Sequence, residues 1–313
     1  MIIDSHSHLF DGGWYSSEVH QGSGRFAAAQ VEKSTGVYPD VDSLTRQLLS
    51  MVTDTTGERK ISNMDAAGVA KACVFTFDVG LATATEAKVS IEDQNRMVAE
   101  AAKRFPDRLI PFFAVDPRRP NGLQMFERAI KQGKMRGLKL YPPGGFFPQD
   151  TVCYAYYRKC MDYGLPVLFH SGATMAPLKA RFAQPVHIDD VAADFPDLPI
   201  IIAHAGGFWW EEALGVAAFK PNVYLDLSGR QTTLTQDSSR FYAQLRRMMD
   251  TVGPWRLFFG SDSPVLDWVL PLDRWAKAFK EPDLSRCPDI KFTKEEMEMV
   301  MGKAFARLMK LEQ

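Results

Sequence analysis

Met1-Ile2-Ile3-Asp4-Ser5-His6-Ser7-His8 opens the chain as a short apolar run that ends in a His-x-His pair. A β-strand turns successive side chains to opposite faces, so His6 and His8 share one face and both imidazoles can reach one ion. Two histidines alone are equally consistent with a pair of satisfied polar groups, and the reading needs further ligands.

Working outward, seven more short apolar runs follow, each closing near a polar or glycine-rich stretch and each followed by a helix-like pattern. The predicted strands are Met1 to His8, Lys71 to Asp78, Leu109 to Asp116, Gly137 to Tyr141, Pro166 to His170, Ile200 to His204, Val223 to Ser228 and Leu257 to Asp262. Runs such as Ile200-Ile201-Ile202-Ala203 are apolar without alternation, as strands of a parallel sheet covered on both faces must be. Helical spacing marks Ile91 to Phe105 with Ser90 as cap, Leu123 to Lys131, Tyr154 to Tyr163, Trp209 to Phe219 and Phe241 to Thr251. Thr293-Lys294-Glu295-Glu296 is a capping-box pattern, and the helix behind it, with Met297, Val300, Met301, Phe305 and Leu308, is expected on the outside of the fold.

Strand and helix alternating eight times admit an open doubly wound sheet or a closed barrel, and the polar residues at the strand ends decide. His170 ends Val167-Leu168-Phe169-His170, His204 ends Ile202-Ala203-His204, and Asp262 ends Phe259-Gly260-Ser261-Asp262. An ionisable group directly after an apolar strand is costly to bury unpaired, and a shared divalent cation explains all of these together. Nitrogen ligands with one carboxylate match a catalytic zinc site, or a manganese or iron site of similar build. The reading is therefore α/β, a (β/α)8 TIM barrel with its site at the carboxyl ends of the strands. Two connections exceed the usual few residues, Phe10 to about Thr56 and Ser171 to Asp190, and both belong to that face; the first is a candidate lid. With 313 residues and no linker or internal repeat, one domain over 1–313 is expected.

The totals exclude other classes. Lys and Arg number 37 against 38 Asp and Glu, which leaves no electrostatic footprint for nucleic acid, so small molecules are the expected partners. Cys73, Cys153, Cys160 and Cys287 lie far apart without a CxxC pair, which fits reduced thiols in a cytosol. Charged and polar residues appear by Asp4, unlike a signal peptide, and no apolar run approaches the ~20 residues that span a bilayer. A cytoplasmic protein without membrane insertion is expected.

His6-x-His8, Gly137-Leu138-Lys139-Leu140, Phe169-His170-Ser171-Gly172, Ala203-His204-Ala205-Gly206-Gly207 and Gly260-Ser261-Asp262-Ser263-Pro264, in that order, resemble the amidohydrolase superfamily. The resemblance is to the branch with the amidohydrolase-related hydrolases and the aminocarboxymuconate-semialdehyde decarboxylase-like enzymes, and it runs from residue 1 to about 310. It implies that His6, His8, His170 and Asp262 bind one metal, commonly zinc, while His204 lies beside it to polarise substrate or move a proton. Lys139 stands where a carboxylated lysine bridges two ions elsewhere in the superfamily; this branch uses one ion, so Lys139 is read as a charge partner or substrate contact. Gly302-Lys303-Ala304 replaces the usual Gly-Asn-Ala, a departure that touches packing. A homodimer is also implied.

These residues suit hydrolysis of a small, carboxylate-bearing ester, lactone or amide by activated water, with Asp262 as base and His204 steadying the oxyanion. The alternative is non-oxidative decarboxylation of an aromatic or unsaturated acid, with Asp262 or His204 protonating carbon. A third reading is a non-catalytic metal- or ligand-binding barrel. Arg25, Arg181 and Arg230 fall in loops at the expected face and suit a substrate carboxylate, as does Tyr141 beside Lys139. Trp209, Trp210, Phe146 and Phe147 are candidates for the pocket wall, and His20 and His187 are read as loop residues without a metal role.

Overall fold

In the computed structural model, which describes residues 1–133 and 135–311, the apolar runs become parallel strands: β1 (Ile2–His8), β2 (Val69–Phe75), β3 (Leu109–Pro111), β4 (Phe113–Ala114), β5 (Leu138–Leu140), β6 (Val167–Phe169), β7 (Ile200–Ile202), β8 (Val223–Asp226) and β9 (Leu257–Phe258). Lys134 and residues 312–313, part of the expected domain span, lie outside the described residues. β1 pairs with β2 and β2 with β3, while β4 to β9 pair in chain order. β3 and β4 are one barrel position interrupted at Phe112, whose N–H donates to Val74 O at 3.0 Å before Phe113 N–H turns to Gly137 O at 2.9 Å. The ring closes where Ser5 N–H donates to Phe259 O and His8 N–H to Ser263 O, both at 2.8 Å. The fold is a (β/α)8 barrel.

Alternation sorts the strand residues into two layers. Ile3, Cys73, Phe75, Ile110, Phe112, Leu168, Ile201 and Phe258 form one buried cluster inside the barrel. Their neighbours, among them Ile2, Val74, Leu138, Val167, Ile200 and Leu225, join the helices in the outer core. Burying each large side chain contributes roughly 1.5–3 kcal/mol, so both faces of the sheet hold it closed.

β1 departs from simple alternation, and the site depends on that departure. Ile3 faces the interior, so strict alternation would turn His6 and His8 outward with Asp4. The register instead runs Asp4↔Ala72 and then Ser7↔Val74, three steps against two, a β-bulge with one extra residue. Beyond the bulge His6 and His8 point inward, each ring edge-on to Phe75 at 4.9 and 4.8 Å between centroids.

The terminal helix corrects an expectation. Its capping box on Thr293 and Glu296 forms, and Met297, Val300 and Met301 pack in the outer core. Ala304, Phe305, Ala306 and Met309, however, belong to the interior cluster, and Phe305 meets Phe258 edge-on at 5.3 Å. A π-helical turn over Met299–Lys303 shifts the helical phase, so that the second half plugs the barrel base instead of lying outside it. Gly302 makes this approach possible, because a Cβ there would lie 2.5 Å from Met1 O.

The predicted strands overrun at their carboxyl ends. Asp78 and Asp116 lie past the ladders and form a polar brace: Arg119 forks onto Asp78 at 2.5 and 2.9 Å, and Asp116 N–H donates to Asp78 at 2.8 Å. The expected loop from Phe10 to Thr56 is largely helical, with helices Ser17–Thr35 and Val41–Val52. An antiparallel bridge between Phe10 and Asp54 ties its ends together. The connection after β6 holds a 3-10 turn at Ala180–Ala183 and the start of helix Val186–Asp194. Helices Glu58–Ala67 and Leu272–Lys280 carry no capping signal strong enough to stand out in the sequence.

The first excursion docks on the second through Gly22, where a Cβ would fall 1.6 Å from Ala176 O. Gly22→Ala is therefore expected to push the helix off this loop at a cost of roughly 1–3 kcal/mol. Chemical denaturation that left the midpoint unchanged would contradict this contact.

Candidate metal centre

The central side chains are delivered by the ends of five strands. His6 and His8 come from β1, His170 directly follows β6, His204 follows β7, Asp226 ends β8, and Asp262 lies in the turn after β9. Two of these turns are strained. Asp262 sits at φ 56°, and His204 and Ala205 sit at φ 60° and 45°, conformations that L-residues adopt at a cost of about 1–3 kcal/mol. In return the chain reverses at once and the side chains stay over the barrel mouth. Asp4, on the outer side of β1, pins the turn that bears Asp262: its carboxylate accepts from Ser261 N–H at 2.9 Å, Ser261 Oγ at 2.6 Å and His6 N–H at 3.1 Å. Buried Lys60 donates from Nζ to Ser263 O at 2.7 Å on the same turn.

The hydrogen bonds show which nitrogens are left free. His6 Nδ1 lies 2.8 Å from Asp226 Oδ2 and donates to it, while His8 Nδ1 lies 3.1 Å from Phe75 O and donates there. Both Nε2 atoms then face Asp262 Oδ1, at 3.4 Å for His6 and 2.9 Å for His8. Among the described residues the ligand atoms of His6, His8 and Asp262 lie within 4.8 Å of one another, and so do those of His6, His204 and Asp226. The expected fourth ligand, His170, falls in neither group. Its Nδ1 meets His204 Nε2 at 3.1 Å, and its Nε2 is buried without a partner. A carboxylate oxygen shared between two imidazoles, beside a third whose nitrogen is orphaned, is a donor set that a divalent cation fits.

Burial and charge set the protonation. Burial would lower His6, but the Asp226 carboxylate outweighs it and holds His6 above its usual value. Burial pushes His8 and His204 down to about 4 and His170 well below the ordinary imidazole range. Burial would raise both carboxylates; His6 holds Asp226 at about 2, and the imidazoles crowded against it, His6 and His8 first among them, keep Asp262 well below the carboxylate range. At neutral pH the carboxylates are ionised, and His8, His170 and His204 are neutral.

An aromatic wall flanks the His8 and His170 side. Tyr15 stacks on Phe77 at 4.4 Å, Phe77 on Tyr141 at 4.8 Å, and Tyr141 on His170 at 4.3 Å. Tyr141 Oη bonds Thr174 Oγ1 at 3.2 Å. Lys139 lies below the centre, fully buried, with Nζ 4.9 Å from the Phe75 ring centroid, and burial lowers it to about 8.

The arginines expected to meet substrate fare differently. Arg230 is buried, but its guanidinium is committed to Gly207 O at 2.8 Å and to Gln244. Arg181 is exposed and lies over the Phe182 ring, and Arg25 is exposed on helix Ser17–Thr35. Among the described residues none of the three has a hydrogen bond or ion pair with the central histidines or aspartates. His20 Nε2 bonds to Gly12 O and His187 Nε2 to Arg181 O. Phe146 is buried in the outer core, and Phe147 packs on Phe182 and His187.

Asp226, Ser228 and Phe77 are the central residues that sequence reasoning missed. Asp226 carries the same signal as Asp262, a carboxylate closing an apolar run, but lay inside the predicted strand Val223 to Ser228. Phe77 gives no signal, since its role depends on stacking with residues distant in sequence.

The amidohydrolase family model matches residues 3–311. An uncharacterised TIM-barrel protein of Bordetella bronchiseptica superposes with TM-score 0.70 at 21% identity, covering 99% of this chain and 98% of that one. A 2,6-dihydroxybenzoate decarboxylase in complex with 2,6-dihydroxybenzoate superposes with TM-score 0.68 at 14% identity, covering 100% and 99%. A dihydroxybenzoic acid decarboxylase from a Polaromonas species, with bound manganese and 2-nitroresorcinol, gives TM-score 0.66 at 15% identity, covering 100% and 97%. Protein fluG of Emericella nidulans is 22% identical over 142 residues, 45% of this chain but 16% of that protein, so the match spans a small part of that relative's length. Among the described residues no helix is long and apolar enough to cross a membrane.

The proton positions carry a consequence for cation binding. His8 and His170 are already neutral near pH 6, whereas His6, raised by Asp226, must lose its proton to offer Nε2. Affinity for a divalent cation is expected to fall as pH drops through the raised His6 value, with about one proton released per ion below it. Calorimetric titration in buffers of different ionisation enthalpy measures that release; release undiminished at high pH would contradict the assignment.

Proposed function

The chain belongs to the amidohydrolase family, and on that premise we propose that it is a metal-dependent non-oxidative decarboxylase of a small aromatic carboxylic acid. The observation that carries this reading is the column of Tyr15, Phe77, Tyr141 and His170, which lines one side of the polar centre with aromatic rings. Edge-to-face contact with such a column favours a planar aromatic ring over an aliphatic ester or lactone. The bound acids and phenols of the decarboxylase structures at similar fold support the same reading.

A divalent cation held by His6, His8, His170 and Asp262 would supply a positive anchor for the substrate carboxylate and a neighbouring hydroxyl. The manganese in the Polaromonas enzyme supports manganese as well as the zinc expected from the sequence. The chain itself orients the ring through Phe77 and Tyr141 and excludes water beneath it through the interior cluster. As the bond from ring to carboxylate breaks, its electron pair stays on the ring carbon, which takes one proton while carbon dioxide leaves. Asp262, whose side chain keeps 14% of its surface open, draws that proton from solvent and hands it to the carbon. His204, which accepts from His170 Nδ1, holds that imidazole in place beside the centre. Buried Lys139 adds positive charge below the centre and so favours an anionic substrate.

Hydrolysis of an ester, lactone or amide is the second reading, and one observation favours it: Asp262 is held ionised, as a base for water must be. The two separate on products. With cation-loaded protein, hydroxybenzoates are expected to release carbon dioxide in step with loss of the acid, while lactones and esters release no protons; the opposite pattern would replace this reading by hydrolysis.

Variants give a further check. Asp262→Asn is expected to lower turnover by roughly 10²–10⁴-fold. Phe77→Leu and Tyr141→Leu each remove about 0.5–1.5 kcal/mol of stacking and are expected to raise KM several-fold with smaller change in kcat. Unchanged KM in both would remove the wall from the substrate site.

A further inference from the structure

Asp226 and Ser228 are fully buried behind the centre, yet the ring protons of His6, His204 and His170 are arranged from them. Asp226 Oδ2 accepts from His6 Nδ1 at 2.8 Å. Its Oδ1 accepts from Ser228 N–H at 2.9 Å, from His204 N–H at 3.3 Å and from Ser228 Oγ, which lies against it. Ser228 Oγ also lies 2.9 Å from His204 Nδ1. A hydroxyl has one proton, and an oxygen pressed against a carboxylate must give that proton to it. Toward His204 it can therefore only accept, so His204 carries its proton on Nδ1 and presents a bare Nε2. His170 Nδ1, 3.1 Å from that bare nitrogen, must in turn be the donor, which leaves the buried, partnerless His170 Nε2 as a lone pair.

We infer that Asp226 and Ser228 are positioning residues forming a tautomer lock, which through one hydroxyl fixes the proton of His204 and, through it, that of His170. The same carboxylate fixes His6, so one buried group sets the free lone pair of His6 directly and that of His170 through the relay. The cradle is tight: a Cβ at Gly229, φ 78°, would lie 3.0 Å from His204 Nδ1, and one at Gly260 would lie 3.1 Å from both Asp226 Oδ1 and His6 Cβ. With neither ring nor carboxylate free to swing, the proton positions are left as the adjustable quantity. Without the Ser228 hydroxyl, His204 is free to hold its proton on Nε2; that proton would oppose the His170 Nδ1 proton and drive His170 to its other tautomer, removing a lone pair. The consequence for a cation rests on the metal reading above, while the proton positions do not.

The test is multiple-bond ¹H–¹⁵N NMR on cation-free protein with ¹⁵N-labelled histidine, at mildly alkaline pH. In the natural sequence His6, His170 and His204 are expected as Nδ1–H tautomers. In Ser228→Ala, His204 and His170 are expected to shift together toward Nε2–H, with His6 unchanged. Asp226→Asn, whose amide must donate to one of its present donors, is expected to disturb His6 or His204 while keeping the shape of the side chain. Affinity for Mn²⁺ or Zn²⁺, read by calorimetry, is expected to fall about 10- to 100-fold in each. An Nε2–H signal for His204 or His170 in the natural sequence would overturn the lock, as would Ser228→Ala with both tautomers unmoved. The lock pattern in a protein that binds neither cation supports the lock and sinks the metal reading.

Discussion

Four imidazoles and two carboxylates crowd the mouth of one barrel, and each buried polar atom left without a partner costs about 1–3 kcal/mol. The structure meets that constraint by giving every ring a defined partner at Nδ1. His6 is tied to Asp226, His8 to Phe75 O and His204 to Ser228, and in each case the bond is made by Nδ1. The Nε2 atoms are thereby turned inward together. His170 Nε2 is the one that finds nothing, and a buried imidazole nitrogen without a partner is hard to maintain unless something else is to occupy it.

The rest of the fold is arranged to hold this geometry. The β1 bulge brings His6 and His8 to the interior face that Ile3 has already defined, and Asp4, left on the outer face, clamps the Ser261 turn to the same strand. Below, Phe258 and Phe305 fill the barrel so that the centre rests on a packed floor. The π-helical turn that swings Phe305 inward also offers Val300 O to Phe259 N–H at 2.8 Å, which ends β9 and frees the chain to climb to Asp262. Strain at Asp262 and at His204–Ala205 is thus supported from both sides, by the outer clamp and by the inner plug.

Much of this was legible in the order of residues, because a polar group at the end of an apolar run is an energetic anomaly that a reader can count. That rule marks His6, His8, His170, His204 and Asp262, and the barrel reading follows from them. Asp226 obeys the same rule and was passed over only because the predicted strand ran two residues too far. The bulge was not legible: nothing in Asp4-Ser5-His6-Ser7 distinguishes a bulged strand from a regular one, and the choice is made by Ala72 and Val74 on the neighbouring strand. Nor was the inward turn of Phe305, which needs a π-turn that helical spacing does not announce. The arginines show what a loop position leaves open. A loop position at the correct end of the barrel says nothing about which carbonyls lie nearby, and Arg230 found Gly207 and Gln244.

The proton inventory bears on why one centre can serve either chemistry. With Asp226 and Asp262 ionised and His8, His170 and His204 neutral, the mouth as folded holds more acceptors than donors. A hydrolytic substrate arrives with water, whose proton such a centre readily takes. A hydroxylated aromatic acid arrives with its own phenolic proton and an anion, and needs a group that will pass a proton to carbon. Asp262 can do either, so the side chain that handles the proton does not choose the reaction. The choice falls to what holds the substrate's ring or chain in place, and beside this centre stands the aromatic column of Tyr15, Phe77 and Tyr141.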